Sequence, residues 1–248
     1  MRISQRTIPS VGTSISRPPA LHSAVYAISF LLLLLAMSGG KAEAANFALS
    51  FSGGTMSPQI GVAALVTTAT DDLWMDVWLQ WAGPATTISS VQTPVYNGNS
   101  GCSGWGITLL DATGQVGILA GGVAVVVAPV FLTPGQWQHV RAARLGGVFE
   151  LSVDDVVYPL SGNPTPNSLG TCRPEVTSIG SGTSVTRSTD PYNGVIDKVR
   201  INVIGATFQD GLTFWKLDEG SGTTATDIHG TIMRLIGNPA WVAGASKP

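Results

Sequence analysis

Residues Leu73 to Trp81 read LWMDVWLQW, and their alternation sorts two kinds of chemistry onto opposite sides of one extended segment. Leu73, Met75, Val77 and Leu79 make a uniformly apolar side; Trp74, Asp76, Trp78 and Gln80 share the other, successive members one pleat apart. Two indoles on one strand face can form a flat apolar platform of the kind that stacks on the apolar face of a sugar ring. Asp76 and Gln80 would then supply hydrogen bonds to hydroxyls. The competing reading packs the same indoles into the core or beneath loops. Arg141, Glu150 and the rim loops around Tyr96 and Tyr192 are weaker binding candidates.

Acidic residues suggest a second chemistry. Asp218, Glu219 and Asp227 flank the Gly/Ser/Thr segment Gly220 to Thr226, and such loops supply oxygen ligands to calcium, helped by backbone carbonyls. Asp190 and Asp197 are possible co-ligands for a structural calcium; no cofactor is required. The spacing matches no defined calcium loop, and solvated turn carboxylates are the alternative. Catalysis has less support. A glycoside hydrolase needs two carboxylates flanking the bond, and only Asp76 and Glu150, from separate strands, could be paired in principle. No Gly-x-Ser-x-Gly elbow accompanies His139 or His229, so a serine triad is unsupported. Cys102 and Cys172, each in a loop-forming stretch, are the sequence's two cysteines and are expected to pair in an oxidising compartment. Closing a loop of about 70 residues contributes about 4 kcal/mol in the chain-entropy model. Neither cysteine has a second Cys or a His at zinc-ligand spacing.

The elements that must hold these residues are strands. Gly194 to Val203 (GVIDKVRINV) alternates so that Val195, Asp197, Val199, Ile201 and Val203 fall on the expected core side, with Ile196, Lys198, Arg200 and Asn202 opposite. Asp197 on an apolar side is costly unless its carboxylate accepts hydrogen bonds or meets a cation. Further strands are expected at Ala48 to Phe51, Gly61 to Thr67, Trp105 to Leu110, Gln115 to Leu119, Val123 to Val127, Trp137 to Ala143, Val148 to Val153, Val176 to Gly180, Phe214 to Leu217 and Ile232 to Ile236. Asp111 to Gly114 is a hairpin turn, Pro84 to Gly104 a long polar connection with Asn97-Gly98 as its turn, and Asn163 to Pro174 a loop. Turn signals about every ten residues fit an all-β sandwich.

The segments LTPGQWQHVRAARLGGVFELSVDD, IGSG and PYNGVIDKVRINV resemble the laminin G-like, or concanavalin A-like, jelly-roll family across nearly all of the chain beyond residue 44. The resemblance implies an antiparallel β-sandwich. It also implies packing roles for His139 and often for Trp residues like Trp74 and Trp78, and a loop-anchoring role for Asp197. In many secreted members a segment like WKLDEGSGTTATDIHG comes first and runs into one like ALSFSGG. Here it lies at the end. The order reads as a circular permutation, with Ala45 and Gly244 adjacent and the C-terminal strands beside the N-terminal one; a truncated second repeat over 212–248 is the alternative.

Arg2, Arg6 and Arg17, the apolar run Ala24 to Met37 and the Ala42-Glu43-Ala44 cleavage pattern read as a secretory signal over residues 1–44, an uncleaved anchor being the alternative. The remainder, 45–248, reads as one domain. Losing Arg2, Arg6, Arg17 and Lys41 but only Glu43 leaves nine basic and fourteen acidic residues. Such a chain is a poor partner for nucleic acid, and its one membrane contact would be through the signal segment. The expected protein is a secreted, non-catalytic module binding a carbohydrate or surface glycoconjugate through the concave sheet. An adhesive module binding extracellular protein or matrix comes second, and a glycan-cleaving enzyme third.

Overall fold

Strict alternation in Leu73 to Trp81 gives the strand around which one sheet is laid, because its four odd aliphatic side chains can leave water only by facing a second layer. The computed structural model describes residues 46–53, 59–63 (backbone only), 72–85, 89–172, 176–182, 190–204, 212–237 and 239–245. All belong to one compact unit, Ala45–Pro248. The signal segment read over 1–44 lies outside the described residues.

Sixteen strands occur among the described residues: β1 (Phe47–Ser52), β2 (Gln59–Ala63), β3 (Leu73–Trp81), β4 (Val91–Asn99), β5 (Ser103–Leu110), β6 (Gln115–Ala120), β7 (Ala124–Phe131), β8 (Trp137–Leu145), β9 (Val148–Val153), β10 (Val156–Tyr158), β11 (Val176–Ile179), β12 (Asn193–Val203), β13 (Leu212–Trp215), β14 (Thr224–Thr226), β15 (Ile232–Ile236) and β16 (Ala240–Ala243). Sheet A runs β10-β9-β8-β3-β12-β1-β16, with β13 also on β12; sheet B runs β14-β15-β2-β11-β4-β5-β6-β7. Every pairing is antiparallel. The result is a two-sheet sandwich of the jelly-roll type. Its core interleaves Leu73, Met75, Val77 and Leu79 of sheet A with Val95, Trp105, Ile107 and Ile118 of sheet B, the central apolar layer expected of packed sheets.

The C-terminal segment completes both sheets. Strand β16 pairs with β1, Phe47 opposite Ala243, and β15 pairs with β2. Gly244 N–H donates to the Asn46 carbonyl at 2.9 Å, so the two described ends of the domain meet. Trp215, Leu217, Ala225 and Met233 are wholly buried in the shared core, which a separate truncated repeat would not achieve.

Three expectations need correction. Pro84 to Gly104 is not a connection throughout, because Val91–Asn99 forms β4, with all nine residues buried. Its polar side chains find partners inside: Gln92 Nε2 donates to the Gly83 carbonyl and Thr177 Oγ1 to Asn97 Oδ1. Pro94, which has no N–H to give a ladder, falls where the register with β5 shifts between Gln92 and Val95. Second, the core side of β12 changes. Val195 lies opposite Gln80 and Asp197 opposite Trp78, on the outer face, while Ile196 faces the core; beyond a bulge between Asp197 and Arg200, Val199, Ile201 and Val203 face inward. Lys198, at φ 52°, is the extra residue, and absorbing it moves the inward positions from even to odd numbers. Third, Tyr96 and Tyr192 are wholly buried and present no rim. Tyr96 donates its hydroxyl hydrogen to the Ser103 carbonyl, and Tyr192 meets Phe51 edge to face.

The predicted disulfide is present between Cys102 and Cys172, whose Cα atoms are 6.3 Å apart. It straps the loop before β11 onto the β4–β5 turn, where Asn167 Nδ2 also donates to the Cys102 carbonyl.

Candidate functional site

Sheet B offers little free surface at its centre, since β4 and most of β5 are buried on both faces. The outer face of sheet A is more open. Along β3, Trp74, Trp78 and Gln80 are half-buried and Asp76 is 9% exposed, all pointing away from the core. Register brings neighbours to each: Arg141 and Arg200 flank Asp76, His139 and Asp197 flank Trp78, and Ala143 and Asn202 flank Trp74.

These neighbours hold the indoles upright. The Arg141 guanidinium lies 5.0 Å from the Trp74 ring centroid, and the His139 imidazole stacks on Trp78 at 5.0 Å and 22°. His139 Nε2 is 2.9 Å from Asp76 Oδ1, and Nδ1 is 3.6 Å from Asp155 Oδ1. The hydrogen bond that His139 Nε2–H donates to the Asp76 carboxylate raises the His139 pKa above its ordinary value, against the opposing effect of burial. Gln80 donates to the Gly135 carbonyl at 3.0 Å. The surface is therefore not a bare platform. Each of the two indoles has a ring face covered by a β8 side chain. Beside Trp74, a groove of ≈ 210 Å³ is lined by Arg141, Ala143, Glu150, Ser152 and Val157.

Asp76 and Glu150 both lie on this outer face but do not oppose each other across a cleft. Strand β8 stands between them, and strand spacing with one pleat of offset puts their backbones about 12 Å apart. Both ring nitrogens of His139 face carboxylates, so no nucleophilic hydroxyl or thiol stands at its second nitrogen.

The five acidic residues considered for calcium are dispersed in their uses. Asp190 accepts from Ser89 and Ser100 hydroxyls. Glu219 accepts from Thr226 N–H, and Asp227 Oδ1 from His229 and Thr231 N–H. Asp218 accepts from Phe47 N–H at 3.3 Å. Asp197 is wholly buried, with Oδ2 accepting from Ala245 N–H at 2.9 Å and Oδ1 without a partner. Desolvation, aided by the nearby Asp218 charge, pushes its pKa up to about 6. Among the described residues no three acidic, His or Cys side chains come together as a group able to hold a metal. Asp218, Glu219 and Asp227 do share a second cavity of ≈ 450 Å³ with Phe214, Lys216 and Ile228.

Arg200 was not legible as a site residue, because its place opposite Asp76 depends on the bulge at Lys198. The family resemblance implies only packing for His139; its place beside Trp78 comes from the β3–β8 register, which no local spacing gives.

No family model matches the chain, and no curated protein matches its sequence. Its fold is similar to that of a candidate carbohydrate-binding protein from Bacteroides ovatus, with TM-score 0.58 and 16% identity over 80% of this chain and 60% of that one. The chain thus spans three-fifths of that protein's length. Fainter likenesses are to a SAP-like pentraxin from Limulus polyphemus, with TM-score 0.48 and 11% identity over 64% and 77% of the two chains, and to mouse laminin α1 domains LG4-5, with TM-score 0.42 and 14% identity over 68% and 45%. The sandwich is of the jelly-roll, concanavalin A-like type that the sequence motifs resemble.

Proposed function

We propose that this protein is an exported, non-catalytic glycan-binding module whose ligand lies on the outer face of sheet A, across Trp74, Asp76, Trp78 and Gln80. One observation carries the reading: both indoles stand on the same face and each is already stacked against a β8 side chain. Rings fixed before binding lose little rotamer freedom when a sugar packs on them. Asp76 retains a second oxygen for hydroxyls. The name given to the Bacteroides ovatus protein agrees with this reading, although fold does not fix function. Export is supported by the sequence of residues 1–44 and by the disulfide.

The test is depletion from solution by immobilised polysaccharides, with released sugar measured in the same tubes. Binding without release, weakened roughly ten-fold or more in Trp74→Ala and Trp78→Ala at unchanged melting temperature, is the expected result. Retention by no glycan would overturn it.

A protein-binding adhesive role is the second reading. Phe131 on β7 is 53% exposed and Val157 on β10 is 70% exposed, and these two edge strands lie adjacent where the sheets meet. Exposed apolar side chains on neighbouring edges mark protein contact surfaces.

A further inference from the structure

We infer that the ligand of this face is an acidic polysaccharide whose carboxylate or sulfate groups are held by Arg141 and Arg200; this rests on the glycan-binding reading and narrows it. One row crosses five strands, each residue opposite the next: Ser152 of β9, Arg141 of β8, Asp76 of β3, Arg200 of β12 and Phe214 of β13. Within it, two guanidinium groups flank one carboxylate.

Both guanidiniums are exposed and mounted on aromatic rings, Arg141 at 5.0 Å from the Trp74 centroid and Arg200 at 4.4 Å from that of Phe214. Neither makes an ion pair or side-chain hydrogen bond with a described residue. Asp76 between them has its Oδ1 on His139. Two planar forks are thus held in place with their donors unspent. A guanidinium in this state meets a carboxylate or sulfate through paired N–H···O bonds, and the ring beneath it reduces the entropy lost on binding.

Spacing adds to the argument. Strands β8 and β12 flank β3, so Arg141 and Arg200 leave backbones about 10 Å apart, on the order of one disaccharide unit. An acidic polysaccharide lying across the strands repeats its charge along its length. It can reach both forks while its rings pack beside Trp74 and Trp78. Asp76, Glu150 and Asp155 on or beside the same face accept hydrogen bonds from hydroxyls, which an acidic polymer without sugar does not offer. The face therefore selects a sugar chain over bare negative charge.

The full-length protein tests this against polygalacturonate and its methyl-esterified form, dextran sulfate and dextran, and polyglutamate as an acidic polymer without sugar. Expected is roughly ten-fold tighter retention by one acidic polysaccharide than by its neutral counterpart. Which acidic arm responds separates carboxylate from sulfate. Arg141→Gln and Arg200→Gln should each weaken that retention about ten-fold at unchanged melting temperature, while Arg234→Gln on β15 leaves it intact. Equal binding of charged and neutral polymers, or indifference to both glutamine variants, overturns the acidic specificity and leaves the glycan reading standing. Equal retention by polyglutamate overturns the specificity as simple ion exchange. Binding to none of the polysaccharides overturns both.

Discussion

A carboxylate wholly removed from water, as at Asp197, is tolerated because one oxygen receives the Ala245 N–H, yet the other has no partner. Its pKa of about 6 against an ordinary 3.8 means the folded state keeps a proton that the unfolded chain releases. The stabilisation is full below about pH 3.8 and is lost as pH rises through about 6, at most on the order of 3 kcal/mol. Asp197→Asn is neutral throughout and should flatten that slope. Urea titrations at pH 4 and 7 are expected to show the variant gaining on the parent only at pH 7; an equal difference at both would refute the burial argument. His139 is the opposite chemical type with the same sign. Asp76 raises its pKa, so its contribution is full below about 6.5 and fades as pH climbs through the higher folded value. A ring-proton NMR titration should place the midpoint above 6.5 in the parent and lower in Asp76→Asn. No movement would mean that the 2.9 Å contact does not hold the proton.

The bulge in β12 shows why one residue can govern a sheet. With a side-chain period of two, a single inserted residue exchanges the faces of everything after it unless a bulge absorbs it. Lys198 is that residue: Ile196 faces inward before it, and Val199, Ile201 and Val203 face inward after it. Deleting Lys198 restores unbroken alternation from Ile196 through Val203, leaves those three inward and Arg200 opposite Asp76, and should give a variant that still melts cooperatively. Lys198→Gly keeps the count, suits the positive φ, and should melt within a few degrees of the parent. Circular dichroism melts of the two decide it, and loss of cooperative melting in the deletion variant would show that the bulge does more than absorb one extra residue. The same element marks the limit of reading this chain from sequence. Strand β3 was legible because its odd positions are aliphatic without exception, and the β5–β6 and β8–β9 hairpins because Asp111 to Gly114 and Leu145 to Gly147 punctuate them. Strand β4 was not, because VQTPVYNGN carries a Pro and two Asn, and its polar side chains are satisfied by distant segments that no local pattern reveals. The site followed suit. Trp74, Asp76, Trp78 and Gln80 share a face as β3 alone implied, whereas Arg200 joined them only through the bulge.

For the whole molecule, the physical question is what holds a sandwich whose two sheets each need the last strands of the chain. The described termini meet closely: Asn46 and Ala245 are joined by the Asn46 side chain to the Ala245 carbonyl, and Gly244 N–H by the Asn46 carbonyl. Strands β15 and β16 cover edges of β2 and β1, and β13 reaches β14 through the Trp215–Asp227 bridge, tying sheet A to sheet B. If the order of elements is a permutation of one closed sandwich, connectivity at 245 to 46 and at 204 to 212 should be interchangeable. A chain beginning at Leu212, running to Ala245, passing through a short Gly/Ser linker to Asn46 and ending at Ile204 contains every described contact except those across the new break. It is expected to fold with Cys102 and Cys172 paired and to melt within several degrees of residues 45–248, since short flexible closures add little entropy cost. The truncation 45–211 loses Trp215, Leu217 and Met233 from the core, a deficit of at least several kcal/mol by the scale of large-to-small core changes, and should not fold. Were the truncation to melt cooperatively, residues 212–245 would be an accessory to a sandwich complete without them. A failed permutant beside a folded parent would show that the present connectivity itself is needed.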